Sequence, residues 1–171
     1  MGTWGTSLYA NDTASDIRGD YVDKLRRGKT NEESTKELID ANRSIMGDEE
    51  EEPLFWFALA DTQWNYGRLL PSVKEKALEW LEKDGDIIAW KESAENNDYE
   101  AWLRTREKLK EKLLSPQPVP KKVYKYRIYH CKWRVGDVYA YRFESEYSKK
   151  RGFYGKYLIF RKIGASCMIQ I

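Results

Sequence analysis

SPQPVPKKVYKYRIYHCKW (115–133) marks the point at which the chain changes character. Its first part places three prolines within five residues, and proline neither donates a backbone hydrogen bond nor continues a helix. Such a segment favours an extended, semi-stiff spacer. From residue 123 onward, aromatic and aliphatic residues alternate with polar ones, which is the period of a β-strand. The sequence therefore predicts a helical domain at 1–114, a linker at 115–121 and a β domain at 122–171.

Capping signals define the first two helices. Asn11 or Asp12 is a suitable N-cap, and Thr30 with Glu33 forms the pattern of a capping box, in which each side chain bonds the other residue's backbone N–H. The second helix is expected to end near Gly47. After the first cap, apolar residues recur every three or four positions, which is the spacing of one helix face. They are Ala14, Ile17, Tyr21 and Leu25.

The stretch LFWFALADTQWNYG (54–67) is apolar on most sides of a helix, a pattern typical of a buried central helix. Before it stand DEEEE (48–52) and Pro53, and both acidic residues and proline favour a first helical turn. A second interpretation of the acidic run is the attraction of a basic partner. Asp61 is expected to bond a hydroxyl, a Trp N–H or the N-terminal segment, and a lone carboxylate is a weak catalytic candidate.

Three more helical segments precede the linker. One begins at Pro71 or Ser72 and is expected to end at Gly85, and a shorter one covers about 86–94. The last follows the predicted cap Asp98 and carries i,i+4 charge pairs on its solvent face.

Beyond the linker, runs of β-forming residues replace the helical pattern. VGDVYAYRF (135–143) and GKYLIFRKIG (155–164) follow the first run, and CMIQI (167–171) is a candidate fourth strand. A basic, glycine-closed loop, ESEYSKKRGFYG (144–155), separates the second and third runs. We predict an α+β fold: an N-terminal helical bundle followed by a small antiparallel sheet that resembles part of a barrel.

Charge divides the chain at the same place. Residues 1–114 carry 17 Lys and Arg against 25 Asp and Glu, a net charge of −8, and residues 115–171 carry 13 against 3, a net charge of +10. Such asymmetry indicates either a charged partner or attraction between the two parts. The chain shows neither a secretory leader nor an apolar run long enough to span a bilayer, and Cys131 and Cys167 make no disulfide framework. A cytoplasmic protein without a membrane association is expected.

The sequence offers few groups for catalysis. His130 and Cys131 are adjacent, and neighbouring strand residues point to opposite faces, so they do not suit a nucleophile–base pair. The chain has no HExxH, no zinc-type Cys/His spacing and no phosphate-binding GxxxxGK[ST] motif. We therefore predict a protein that is not an enzyme and that uses no cofactor or metal.

Two kinds of binding remain. Cations interleaved with aromatic residues suit single-stranded nucleic acid, because bases stack on rings while cations contact phosphates. A small sheet with free edges and charged faces equally suits a protein partner, which can add a strand to the edge. The candidate partner-binding residues are Lys132, Arg134, Arg142, Lys149, Lys150, Arg151 and Lys156. The oligomeric state is not predicted.

The opening MGTWGTSLYANDTASDI (1–17) resembles a bacterial domain family of unknown function whose members begin MGxWGxxxxxNDxAxD. The matching residues are Trp4, Gly5, Asn11, Asp12, Ala14 and Asp16. The resemblance continues through PLFWFALADTQWNYGRLLPSVKEKAL (53–78). Some of those relatives carry a phosphotriesterase label, but this sequence shows no metal ligands that would support one.

The stretches WRVGDVYAYRF and GKYLIFRKIG resemble the start of the immunity-protein domains of polymorphic toxin systems, with the match carried by residues 136–140. Those domains continue with further strands, so the barrel is incomplete here, closed differently by CMIQI, or finished by a partner strand. The resemblance implies a small cytoplasmic protein that neutralises a bacterial effector by protein–protein contact. The implied alternative is a phage-type inhibitor of a CRISPR nuclease (an anti-CRISPR protein).

The N-terminal segment carries one further expectation. Trp4 and Leu8 are predicted to pin the terminus against the aromatic helix near Phe55, Trp56 and Trp64. The alternative is that Trp4 is an exposed anchor for a partner.

Overall fold

The fold was obtained as a computed structural model, which describes residues 5–83, 87, 96–129, 132–164 and 168–170. The chain divides into two compact units, Met1–Lys125 and Tyr126–Ile171, called here the helical unit and the β unit. The predicted α+β class, with N-terminal helices and C-terminal antiparallel strands, is confirmed. The residues outside the described part are Trp4, Gly85, His130, Cys131, Cys167 and, apart from residue 87, the helix predicted at 86–94.

The helical unit has five α-helices among its described residues, with short 3₁₀ turns at Leu8–Ala10 and Arg43–Ile45. The helices are α1 (Asp12–Arg26), α2 (Asn31–Ala41), α3 (Glu51–Asn65), α4 (Pro71–Lys83) and α5 (Asn96–Leu114). The side chain of Asn11 accepts from the backbone N–H of Ala14 at 3.3 Å, and the capping box at Thr30 is present in both directions. The first two predicted caps are therefore confirmed.

Three helix boundaries differ from the prediction. Helix α2 ends at Ala41 rather than near Gly47, because a 3₁₀ turn follows it. Helix α3 begins at Glu51, so Pro53 is its third residue rather than its first. Asp48 holds the first turn by accepting hydrogen bonds from the backbone N–H groups of Glu50 and Glu51, both at 2.9 Å. Helix α5 begins two residues before Asp98, which lies in its first turn.

Helix α3 is the centre of the helical unit, as predicted. It packs against α1, α4 and α5, and Phe55, Phe57 and Leu59 are fully buried. Leu8 is buried in the same core, so its predicted place against the aromatic helix is confirmed. One continuous apolar core therefore holds the helical unit together.

The predicted linker is attached to the helical unit. The backbone N–H of Lys121 donates to the carbonyl oxygen of Tyr66 at 3.0 Å, and that of Leu69 donates to the side chain of Gln117 at 2.8 Å. Gly67 turns with φ of +66°, and a Cβ there would clash with the carbonyl oxygen of Pro118. Residues 115–125, called here the strap, thus pack on the turn between α3 and α4, and the two units divide beyond the predicted linker, after Lys125.

The β unit contains four short strands and one short helix among its described residues. The elements are β1 (Arg127–Tyr129), β2 (Val138–Arg142), α6 (Glu146–Lys150), β3 (Tyr157–Arg161) and β4 (Met168–Gln170). Helix α6 lies in the segment predicted as a loop, and Ser145 caps it by accepting from the backbone N–H of Ser148 at 3.2 Å. The first strand is shorter than the run beginning at residue 123, because residues 123–125 belong to the strap.

The strands form two antiparallel pairs. β1 pairs with β4, and β2 pairs with β3, with Ala140 opposite Ile159 at the centre of the second pair. The candidate fourth strand is therefore confirmed within 168–170. Among the described residues, these are two separate two-stranded ladders rather than one barrel-like sheet. No described helix combines the length and the apolar character needed to cross a membrane.

Candidate functional site

The β2–β3 pair is a ribbon with two chemically different faces. Alternate residues of a strand point to opposite sides, and directly paired residues share a side. The aromatic face carries Tyr139, Tyr141, Leu158 and Phe160. The arginine-flanked face carries Val138, Ala140, Arg142, Tyr157, Ile159 and Arg161.

The aromatic face is partly covered by its own rings. Trp133 stacks on Tyr139 with ring centroids 4.4 Å apart, and Phe160 lies 5.4 Å from Trp133. At the other end, Phe143 meets Tyr141 edge-on at 5.3 Å. Such ring pairs stabilise their strands beyond simple burial. This face therefore supplies the ring packing of the ribbon, with Tyr141 and Leu158 still 56% and 51% exposed.

The arginine-flanked face has no such cover from the described residues. Val138, Tyr157 and Ile159 are 63%, 60% and 69% exposed, and Ala140 is exposed as well. Among residues 126–164 whose burial the structure describes, Ser148 is the only buried one. A two-stranded ribbon is at best marginally stable in water, and it needs further packing to become secure. An additional structural element would therefore stabilise the ribbon most by packing on this exposed apolar face.

The two arginines of this face are oriented by neighbouring groups. The Nε of Arg161 donates to the carbonyl oxygen of Gly136 at 3.0 Å. Arg142 forms an ion pair with Glu144 at 3.3 Å, and its guanidinium lies 5.9 Å from the ring centroid of Tyr157. Arg161 was not among the predicted partner-binding residues. The sequence carried one signal for this face. Positions 158–160 are all apolar, which indicates that both faces of the strand are apolar, including the face that Ile159 shares with Arg161.

The segment between the strands groups three of the predicted cations with aromatic rings. Lys149 lies 4.8 Å from the ring centroid of Tyr154, Arg151 lies 5.3 Å from that of Tyr147, and Lys156 lies 5.5 Å from that of Phe153. Lys149 also pairs with Glu146 at 2.6 Å. These contacts are cation–π interactions on an exposed surface, where each contributes about 0.5–1 kcal/mol.

The remaining predicted residues are exposed but do not gather at one point. Lys150 lies at the end of α6, and Lys132 and Arg134 precede β2. The backbone N–H of Arg134 donates to the hydroxyl of Tyr139 at 3.0 Å, so this contact fixes the backbone rather than the guanidinium. Arg142 alone of the seven predicted residues belongs to the arginine-flanked face.

The helical unit contains one half-buried polar cluster that requires a separate explanation. Asp61 accepts hydrogen bonds from Tyr9 at 2.7 Å, Asn65 at 2.8 Å and Lys112 at 2.5 Å. The prediction that Asp61 bonds a hydroxyl or the N-terminal segment is confirmed, because Tyr9 supplies both. Burial, followed by the charge of Asp61, raises the pKa of Tyr9 above its ordinary value. With three partners, the carboxylate joins the 3₁₀ turn, α3 and α5 and has a structural role.

A second carboxylate anchors two indoles. Glu52 accepts from the Nε1 of Trp56 at 2.8 Å and from the Nε1 of Trp80 at 3.3 Å, and thereby links α3 to α4. Partial burial acts to raise the pKa of Glu52, but these hydrogen bonds and one from the backbone N–H of Gly47 outweigh it, so the pKa lies below its ordinary value. Both carboxylate clusters are therefore part of the packing of the helical unit.

Within the part of the chain that the structure describes, no group of three or more His, Cys, Asp or Glu residues could hold a metal ion. No protein-family model matches the chain, and the chain shows no significant similarity to a curated protein or a solved structure. The resemblances of residues 1–17 and 136–140 to known families therefore stay predictions.

Proposed function

We propose that this chain is a non-enzymatic binding protein whose β unit contacts a protein partner, and that the contact neutralises a bacterial effector. The observation that carries the proposal is the exposed, apolar arginine-flanked face of the β2–β3 ribbon. Protein interfaces combine an apolar centre with Tyr and Arg, and this face has that composition. A charged rim also accelerates the encounter with an oppositely charged partner.

The edges of the ribbon support the same proposal. Among the described strands, β2 pairs only with β3, so each strand presents one edge that no described strand occupies. An extended segment of another protein can add to such an edge through backbone hydrogen bonds. A partner could therefore complete the ribbon both along an edge and over the exposed face.

The biological setting follows from the resemblance and is part of the proposal. Immunity to a toxin of a polymorphic toxin system is the leading form, and a phage-type inhibitor of a CRISPR nuclease is the second form. Both would act in the cytoplasm, and both require binding rather than catalysis. The negative charge of the helical segment at 1–114 and the positive charge of residues 115–171 suit a partner with a charged surface.

Nucleic-acid binding is the second candidate function, and the segment 147–156 favours it. Lys149, Arg151 and Lys156 stand beside exposed aromatic rings, as in proteins that bind single strands. In this arrangement the cations already cover one side of those rings. The aliphatic residues Val138 and Ile159 of the ribbon offer no stacking surface for bases.

The test uses the full chain as bait in a bacterial lysate at low salt, with and without a general nuclease. We expect the bait to capture the same protein in both samples, as identified by mass spectrometry. That protein is then expressed in bacteria with and without this chain, and we expect the chain to suppress its toxicity or its enzymatic activity.

A matched pair of variants separates the two candidates. Reversing the charges of Lys149, Lys150 and Arg151 should weaken nucleic-acid binding and lower its salt dependence, whereas Ile159→Thr should weaken binding to a protein. Recovery of RNA or DNA alone, lost on nuclease treatment, would contradict the proposed function and favour the second candidate.

A further inference from the structure

The arginine-flanked face has a defined order of chemical groups. Cross-strand pairs place Arg161 opposite Val138 at one end, Ile159 opposite Ala140 in the middle and Arg142 opposite Tyr157 at the other end. The centre is aliphatic, and the two cations stand at diagonally opposite corners. With about 3.4 Å per residue along a strand and about 4.8 Å between strands, the Cα atoms of the two arginines are about 14 Å apart.

This order favours an acidic protein segment over other ligands. A guanidinium pairs with a carboxylate through two parallel hydrogen bonds, and an aliphatic centre needs aliphatic cover. Nucleic acid would bring phosphates for the arginines but no group suited to Ile159 and Val138. The excess of cations in the β unit, 10 Lys and Arg against 3 Asp and Glu in residues 126–171, complements the negative charge of such a segment.

The ion pair between Arg142 and Glu144 is weak enough for a partner's carboxylate to replace Glu144. The Arg142–Glu144 ion pair spans 3.3 Å between side chains that are 53% and 64% exposed, so it contributes little to stability. A carboxylate of an incoming segment can replace Glu144 at small cost. Glu144 therefore stands in the place of a partner's acid and competes with it.

We propose that the arginine-flanked face docks an extended acidic protein segment, with two carboxylates on Arg142 and Arg161 and an aliphatic side chain between them on Ile159. In an extended segment, residues i, i+2 and i+4 share one side, and i and i+4 are about 13 Å apart. The matching pattern is therefore acid–x–aliphatic–x–acid. This inference rests on the proposed function and names the chemistry of the partner at that site.

Three synthetic peptides test the pattern against the full-length, ¹⁵N-labelled chain by NMR titration. The probe is Ser-Glu-Ser-Ile-Ser-Glu-Ser. The first control replaces its Ile with Ser, and the second exchanges its Ile with a neighbouring Ser so that Ile faces the opposite side from the two Glu residues. We expect the probe to shift amide signals of β2 and β3 and to bind about tenfold more tightly than either control.

Variants of the protein test whether the peptide binds to the arginine-flanked face. Ile159→Thr keeps a β-branched residue and adds no charge, and we expect it to weaken probe binding about fivefold. Ile163→Thr, the same change at a residue that is 91% exposed and follows β3 outside this face, should change binding by less than twofold. Glu144→Gln removes the competing carboxylate and should tighten binding at least twofold.

Three outcomes would each overturn the inference. They are equal affinity for all three peptides, equal effects of Ile159→Thr and Ile163→Thr, and signal changes confined to residues 144–155. The proposed function has its own readout. If a protein is recovered from the lysate and Ile159→Thr weakens its binding, but the chain binds all three peptides equally, the proposed function stands and this inference fails. If no protein is recovered at all, the proposed function fails whatever the peptides do.

Discussion

The helical unit and the β unit differ in how completely they bury their aromatic and aliphatic residues. In the helical unit, Phe55, Phe57 and Leu59 of α3 are completely buried, and the carboxylates of Asp61 and Glu52 accept hydrogen bonds from neighbouring side chains. In the β unit, a ribbon of comparable apolar character exposes one whole face. The contrast indicates that the helical unit is complete in itself, whereas the ribbon presents its apolar residues for contact.

The strap shows where this contrast begins. The strap is hydrogen-bonded through Gln117 and Lys121 to the turn between α3 and α4, and so belongs to the helical unit. From Tyr126 onward, the short strands pair only in twos among the described residues. Differences in stability between variants of the two units should therefore follow burial closely.

The largest expected effect is a core truncation. Phe57→Ala removes a fully buried ring, and we expect it to lower the free energy of unfolding of the helical unit by about 3–5 kcal/mol. The matched change in the ribbon, Ile159→Ala, removes a side chain that is 69% exposed and should change it by less than about 0.5 kcal/mol. Urea unfolding followed by circular dichroism at 222 nm measures both. Equal losses would mean that the ribbon belongs to the same core.

The next effect concerns the turn beneath the strap. Gly67→Ala introduces a Cβ that meets the carbonyl oxygen of Pro118 and imposes a positive φ on a residue with a side chain. We expect a loss of about 2 kcal/mol or more, from backbone strain and displacement of the strap.

Gly19→Ala is the control for that change. Gly19 lies within α1 with no atom within 4 Å of the added Cβ, so this substitution should stabilise the unit by about 1 kcal/mol. Thermal melts of the two variants should shift in opposite directions. A neutral Gly67→Ala would show that the strap is not seated on the turn.

A smaller loss is expected from the half-buried polar cluster. Asp61→Asn keeps the shape but removes the charge that faces Lys112 at 2.5 Å, and we expect a loss of about 1–3 kcal/mol. Glu107→Gln, an exposed change on α5, should alter stability by less than about 0.5 kcal/mol. Chemical unfolding at neutral pH measures the stability of both variants. An Asp61→Asn variant as stable as the unchanged chain would contradict a structural role for this carboxylate.

The smallest effect is the response of the helical unit to acid. The pKa of Glu52 lies below its ordinary value, and hydrogen bonds from Lys76 and Lys83 lower the pKa of Glu79 to about 2. A carboxylate with a lowered pKa contributes stability that is present above the unfolded pKa, about 4.3 for Glu, and is lost as the pH falls through the folded pKa. Stability should therefore decline between about pH 4.3 and pH 2.

Glu52→Gln tests the acid response. The variant should be less stable at neutral pH and show a shallower decline in melting temperature below about pH 4.3. Glu49→Gln, an exposed change in the turn before α3, should keep the full decline. Parallel acid profiles for the unchanged chain and Glu52→Gln would contradict the role of the Trp56–Glu52–Trp80 cluster.

Local signals in the sequence were enough for most of the helical unit. The cap at Asn11, the capping box at Thr30 and the uniformly apolar helix α3 act over a few residues, so they can be recognised without tertiary contacts. The attachment of the strap could not be recognised in this way, because it depends on Gly67 meeting Pro118, two residues far apart in the chain. Proline content alone indicated an extended, semi-stiff spacer.

The candidate site was only partly predictable. Counting cations selected Arg142 and the basic segment 147–156, but it missed Arg161 and the aliphatic residues between the two arginines. The pairing register brings these groups onto one face, and register depends on the partner strand rather than on composition. The helical turn of α6 was missed because its five residues are too short to show a helical period.

Hydrogen exchange of the backbone amides, measured for the free chain and for its complex with the protein recovered from the lysate, tests most directly whether the ribbon is completed by a partner. We expect α1 and α3 to be protected in both states and the amides of β2 and β3 to gain protection only in the complex. Ribbon amides that are equally protected in the free chain, or new protection confined to the helices, would contradict this expectation.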